Sequence, residues 1–240
     1  MATTFLTLVN DTLRRLNEVE IISADFATVI GFRAQVKDAV NAALHEISQR
    51  EYFFPFNHTV GSVTLVAGTD LYALAADVKL ADWNSFRMNY SASDNFSARK
   101  LRQIDYNTFL KTYFERDSSA VTGDFEQPSY VYKSPGGHAG FTPIPNAAYV
   151  VYYDYYAYHT DLSASTDAMV IPDAFKHVIV DGATYHCYMF RDNAQQAALT
   201  KQKFDLGIDH MRSLLINTNR YVEVRDTRVA RLVNAASGSI

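Results

Sequence analysis

The sequence predicts an α+β fold: a four-helix bundle built from the N- and C-terminal segments, with an inserted antiparallel β-rich domain and an extended C-terminal tail. Three observations predict it. Apolar residues recur at helical spacing at both ends, in residues 1–52 and 171–218. Between them, residues 53–170 hold short apolar runs broken by Pro, Gly, Asp and Asn, the pattern of strands and turns. Beyond residue 218 the periodicity is lost, so residues 219–240 read as a separate extension. None of the four main helical segments is long enough to be stable alone, so their apolar stripes must meet, and a bundle is the economical way to do so.

In order along the chain, Phe5, Leu6, Val9, Leu13 and Leu16 make the first stripe, with Asn10, Asp11, Arg14 and Arg15 opposite and Thr3 or Thr4 placed to cap. Residues 17–31 read as a connection ending at Gly31, and the spacing predicts a second helix over about 32–51, with Val36, Val40, Ala43, Leu44 and Ile47 inward. Arg33, Lys37, Asp38, Glu46 and Arg50 on the other side read as a solvated face. Val60–Val66 and Leu71–Leu74 flank Ala67-Gly-Thr-Asp70, a hairpin signal. A strand follows around Trp83–Tyr90, then a polar loop tip at Ser91–Ser97, a short helix starting near Asp105, and an exposed loop over Glu115–Gln127. Three strands are expected around Tyr130–Lys133, His138–Thr142 and Tyr149–His159. Ile171-Pro172-Asp173 opens the third long helix, whose stripe is Phe175, Val178, Ile179, Ala183, Cys187 and Phe190. The last starts near Asp192 or Asn193 and carries Ala197, Phe204, Ile208, Met211 and Leu215 inward.

With 240 residues, 48% of them hydrophobic, the chain can bury a sizeable core. Its net charge of −4 is not that of a nucleic-acid-binding polycation. One cysteine, Cys187, excludes an internal disulfide, and the absence of a long apolar run or a basic-then-apolar start points to a soluble protein made in a reducing cytoplasm. Of the seven histidines, no two stand at the i, i+4 spacing that holds zinc on a helix. The glycine-rich Ser134–Gly140 stretch lacks a Lys-Ser/Thr ending and leads into a strand, so it reads as a hairpin and not a phosphate cradle. Asp154, Asp161, Asp167 and Asp173 are candidates for a glycosidase-type carboxylate pair, but three of the four sit in or beside turns, where Asp bonds the local backbone. No catalytic residue, cofactor or metal is expected.

The most informative stretch is Tyr149-Val-Val-Tyr-Tyr-Asp-Tyr-Tyr-Ala-Tyr158, which holds six of the 16 tyrosines. On a strand, Tyr149, Tyr153 and Tyr155 face opposite Tyr152, Tyr156 and Tyr158. Aromatics on both faces suit a core on one side and a protein neighbour on the other. The alternative is a carbohydrate-binding β module using the tyrosines as a stacking platform. In the tail, Arg220, Arg225, Arg228 and Arg231 against Glu223 and Asp226 leave a local charge of +2.

Val63–Leu74 resembles a hairpin of the head-to-tail adaptor proteins of tailed bacteriophages, called tail tubular protein A in short-tailed phages, whose pattern is a Gly turn, then Tyr, a small residue and Leu-Pro. Ala75 stands where that Pro is frequent. Phe141-Thr-Pro-Ile-Pro145, the Tyr-Tyr strand, Leu162-Ser, Ile171-Pro172-Asp and Val180-Asp-Gly-Ala183 follow in a similar order. The resemblance implies a non-enzymatic virion protein at the head–tail junction. It implies a ring, of twelve subunits, bound to the portal protein above and a tail nozzle or other tail protein below, with genomic DNA passing through the lumen. Tyr152, Tyr153, Tyr155 and Tyr156, with Arg220, Arg225, Arg228 and Arg231, are then the expected portal or subunit contacts. Tyr153→Ser and Tyr156→Ser are expected to cost assembly more than folding.

Overall fold

In the computed structural model, which describes residues 3–89 and 98–216, the chain opens with α1 (Phe5–Arg15). Phe5, Leu8, Val9 and Leu13 are buried on it. The Thr4 hydroxyl accepts the Thr7 amide hydrogen at 3.4 Å. Two amides that α1 cannot satisfy itself, those of Phe5 and Leu6, donate to the carbonyls of Asp167 and Ser165 at 2.8 and 3.2 Å. α2 (Phe32–Arg50) starts after Gly31, whose φ of 64° is a conformation that favours glycine. Near the other end of the chain come α5 (Lys176–Phe190) and α6 (Ala194–Leu215), numbered after two short helices described below. Asn193 caps α6 by accepting from the Gln196 amide at 3.2 Å.

These four helices do not form the expected four-helix bundle. α5 is a hub that packs against α1, α2 and α6. Its consecutive residues Val178, Ile179 and Val180 are all buried, as are Gly182, Ala183, Thr184 and Cys187. A helix apolar on most of its circumference takes neighbours on several sides, whereas a bundle helix buries one stripe. Gly182 permits the closest approach: a Cβ there would stand 2.7 Å from the Phe204 ring and 2.8 Å from Ala43. The remaining helices, α3 (Tyr106–Thr112) and α4 (Phe114–Ser119), lie between strands, so the described residues form a mixed α+β fold with helices distributed along it.

The face of α2 expected to be solvated is partly engaged. Glu46 pairs with Lys201 and with Arg50, and Arg50 also reaches Asp205 at 2.5 Å. The Lys37 ammonium donates to the Phe26 carbonyl at 3.0 Å and stands 4.5 Å from that ring's centre. Two asparagines hold loops in the manner of a strand partner. Asn10 takes both backbone groups of Ile21, at 2.9 and 3.0 Å, and Asn41 takes both of Leu162, at 3.0 and 3.1 Å. Asn41→Ala leaves both Leu162 groups without these partners and is expected to cost about 1–3 kcal/mol in a denaturant melt.

Two histidines are expected to make the protein acid-sensitive. His159 is held below the usual 6.5 by burial and then by His45, with Asp161 opposing. His186 is held low by burial and by Lys201, with Glu46 opposing. A depressed imidazole binds its proton more readily in the unfolded chain, so stability is lost as pH falls below about 6.5. The melting temperature should therefore drop between about pH 7.5 and 5.5, and the double variant His159→Gln/His186→Gln should flatten that slope.

The chain divides into two compact units, one of Met1–Asn57 with His159–Ile240 and one of His58–Tyr158. The second carries two sheets. In the first, β9 (Val150–Ala157) is the central strand. On one side it pairs antiparallel with β1 (His58–Thr64) along the full length of β1. On its other side β3 (Val78–Ala81) and β4 (Arg87–Asn89) pair with it in tandem, and β5 (Ala98–Lys100) continues the sheet beyond β4. Between β3 and β4, the Asp154 carbonyl accepts from the Asp82 amide at 2.9 Å, and its amide donates to the Ser85 hydroxyl at 2.8 Å. The second sheet runs β2 (Leu71–Tyr72), β8 (Ala139–Thr142), β7 (Tyr130–Lys133) and β6 (Arg102–Ile104). Its β6–β7 pair is parallel, so the inserted region is not wholly antiparallel.

Two further expectations are corrected. Val60–Leu74 is not a hairpin: β1 pairs with β9 and β2 with β8, so the Gly68 turn carries the chain from one sheet to the other. The Tyr72 hydroxyl closes that corner, accepting from the Val66 amide at 2.6 Å and lying 3.0 Å from the Val66 and Thr69 carbonyls. The loop expected over Glu115–Gln127 begins inside α4. β3 and β6 went unread because strands of four and three residues carry almost no periodicity. Asp105 does cap α3, accepting from the amides of Asn107 and Thr108 at 2.9 and 3.2 Å, and Ser134-Pro-Gly-Gly137 does turn β7 into β8.

Candidate functional site

The tyrosine strand β9 alternates between half-buried and buried residues along its first seven positions. Its inward face is core. Tyr153 is 1% exposed, stacks on Phe86 with ring centres 5.1 Å apart, and accepts the Ala75 amide hydrogen at 2.9 Å. A Cβ on its cross-strand partner Gly61 would stand 2.5 Å from the Tyr153 ring, so the glycine is what lets the ring lie flat over β1. Tyr155 donates its hydroxyl to Asp77 at 3.0 Å, and burial together with that carboxylate pushes its phenol up to about 12. Tyr153 and Tyr155 thus serve the core, with Phe86, Met88, Phe141 and Val151 around them.

The outward face is different. Tyr152, Asp154 and Tyr156 are half-buried there. Their antiparallel partners on β1 are Ser62, Val60 and His58. On the other side Arg87 stands opposite Tyr152 and Leu80 opposite Tyr156. Val60 is 51% and Leu80 37% exposed. On this face Arg87 donates to both Asp154 oxygens at 3.1 and 3.3 Å, and His58 meets Tyr156 edge-on at 5.6 Å. Chemically this is an apolar and aromatic sheet surface whose charges are internally paired. Such a surface suits a macromolecular neighbour better than a reaction. Sequence reading missed Leu80 and Arg87 as members because register, not spacing, brings their strands beside β9.

The four aspartates weighed as a carboxylate pair each have a separate structural partner. Asp154 holds Arg87, and Asp161 lies 2.5 Å from the His45 ring nitrogen. Asp167 accepts from the amides of Ser163 and Ala164, both at 2.8 Å, and Asp173 from that of Thr3 at 2.9 Å. Cys187 is buried, which pushes its thiol up to about 12. Among the described residues, no group of three His, Cys, Asp or Glu side chains is placed to hold a metal, and no helix is long and apolar enough to cross a membrane.

The core-bound inner face and the aromatic outer face gain their meaning from the comparison with known families. Residues 3–231 match the family described as SU10 adaptor protein. The chain belongs to the SU10 adaptor protein family. It is thus a bacteriophage head–tail adaptor, a structural protein of the virion's head–tail junction that associates with other head and tail proteins. No curated protein matches the adaptor. The matched stretch takes in Arg220, Arg225, Arg228 and Arg231, which lie outside the described residues, as does the Ser91–Ser97 loop tip.

Proposed function

We propose that this adaptor assembles into a closed ring, of twelve copies, between the portal and the tail proteins below it, and that the ring lines the channel for the genome. The observation that carries the reading is the two-sided β9 sheet. One side is a finished core, and the other carries the half-buried Tyr152 and Tyr156 beside the exposed Val60 and Leu80. A ring requires two unlike surfaces that close on each other, and a flat aromatic face is suited to be one of them. The basic segment holding Arg220, Arg225, Arg228 and Arg231 is the second contact, an arm onto the portal or a neighbouring subunit. The net charge of −4 suits a lumen that does not grip phosphates. No enzymatic step and no cofactor enters this role. The order of motifs from Gly68 to Asp181 supports kinship with adaptors of the tail tubular protein A type.

Negative-stain imaging of the purified protein, alone and mixed with a portal ring from the same virus, tests the reading. Closed rotational density capping one end of the portal is the expected result. If neither rings nor portal binding appear, the ring reading falls, and a glycan screen on the tyrosine face becomes the next experiment.

A further inference from the structure

Among the described residues, β1, β2, β3, β5 and β6 each have one side open. An open strand edge is a template for pairing with another chain, and charge, shortness and bulges are the usual protections against it. β5 and β6 are three residues long and carry Arg99, Lys100 and Arg102. β3 has four residues, Lys79 among them, and a break in its register with β9. β2 has two residues. β1 has none of these protections. It is seven residues long, His58-Thr-Val-Gly-Ser-Val-Thr64, without Lys, Arg, Asp, Glu or Pro, and its register with β9 is unbroken.

The phase of the ladder fixes which backbone groups face the open side. The Leu65 amide donates to the Tyr149 carbonyl at 2.7 Å, so Val63, Gly61 and Thr59, at steps of two before it, are the residues of β1 bonded to β9. Asp154 agrees: it stands opposite Val60, and its carbonyl and amide are taken on the other side of β9 by Asp82 and Ser85. The N–H and C=O groups of His58, Val60, Ser62 and Thr64 therefore point off the sheet, and all four residues are exposed. Two such edges fit each other. Laid antiparallel with full overlap, Val60 stands opposite Ser62 of the second copy and His58 opposite Thr64, so the outward groups meet in phase. Gly61 meets Gly61 on the two-fold axis, at the non-hydrogen-bonded position where side chains would crowd most, and it has none. No like charges are opposed. The other open edges of the described residues are short or charged, so β1 of a second copy is the complementary edge that this chain offers.

We propose that the open edge of β1 is a pairing site for β1 of a second copy, giving a two-fold dimer in which the two β9-centred sheets run on as one. A contact of this isologous kind closes on itself and is not the one that runs round a cyclic ring. The dimer is a state of the free adaptor and does not rest on the ring reading.

The test uses the full-length protein without portal. Sedimentation equilibrium is expected to show a concentration-dependent monomer–dimer equilibrium. Ser62→Pro removes an off-sheet donor while leaving the bonds to β9, and Val60→Lys sets a charge on the edge; each should weaken dimerisation about tenfold or more. Should Ser62→Pro fail to fold, Val60→Lys at its exposed site gives the same reading. Cysteines read the register. The double variant Val60→Cys/Ser62→Cys should oxidise to a covalent dimer, whereas His58→Cys/Ser62→Cys, whose cysteines do not stand opposite each other, should not. Cys187 is buried and does not compete. A monomer at every concentration, or a dimer that keeps its affinity in both edge variants, overturns the proposal. Val60 and Ser62 amides that become protected from hydrogen exchange only when a portal ring is added assign the edge to a portal strand and overturn the second copy as occupant. Dimerisation is read without portal and ring formation by imaging, so failure here is distinguishable from failure of the assembly reading.

Discussion

Tyr153→Ser is expected to lower the stability of the β unit by about 3–5 kcal/mol, the range for removing a large buried aromatic side chain. The ring is fully enclosed, stacks on Phe86, lies across Gly61 and ties the Ala75 amide, so its loss opens a cavity and frees a backbone donor together. A melting midpoint lower by roughly 15 °C follows for a unit of this size. The neighbouring tyrosines should behave in the opposite way. Tyr152→Ser and Tyr156→Ser act on the outer face and should change stability by only about 1 kcal/mol, Tyr156 losing its edge-on contact with His58. Their effect should instead be read in assembly, as lost ring or portal-bound particles at a normal melting temperature. Equal melting temperatures for Tyr153→Ser and Tyr152→Ser would contradict the burial assignment. Normal assembly of both outer-face variants would remove that face from the interface. For Tyr153→Ser the cost should therefore fall on folding before assembly, because residue 153 lies on the inward parity of the strand.

Gly140→Ala should be nearly as damaging. The added methyl would land within the ring of Tyr132, its direct partner across the β7–β8 ladder. That ring cannot step aside, because it is 1% exposed and clamped against Phe109 at 4.0 Å. Overpacking costs about 1–3 kcal/mol where neighbours adjust, and this site should fall at or above the top of that range. The check is a double-mutant cycle: Tyr132→Leu, destabilising alone, should relieve most of the Gly140→Ala penalty when the two are combined. Additive losses would show that the methyl meets something other than Tyr132.

Much of the local structure was legible in the residues. The Thr4, Asp105 and Asn193 caps, the Ser134–Gly137 turn and the alternation along β9 are written in neighbours two to four positions apart, where chain geometry alone fixes who meets whom. The resemblance to phage head-to-tail adaptors rested on the order of such local motifs, and the family match bears out the adaptor at that level. The errors share one cause. Val60–Leu74 looks like a hairpin because its turn chemistry is correct, yet each flank finds a better partner far along the chain. Val178 and Ile179 read as part of one stripe that leaves out Val180, yet all three are buried, and three adjacent buried residues mean a helix covered on several sides.

The sequence by itself therefore determined the four long helices, the longer strands and several of their caps and turns, and that one strand offers aromatics to two sides. Only the tertiary structure decided that α5 is a hub and not one member of a bundle. Only it chose Tyr152 and Tyr156, with Leu80 and Arg87, as the outward face of the β9 sheet. The physical reason is range. Capping, turn formation and alternation are local hydrogen-bonding and steric effects, whereas burial depends on which distant surface wins the competition to exclude water.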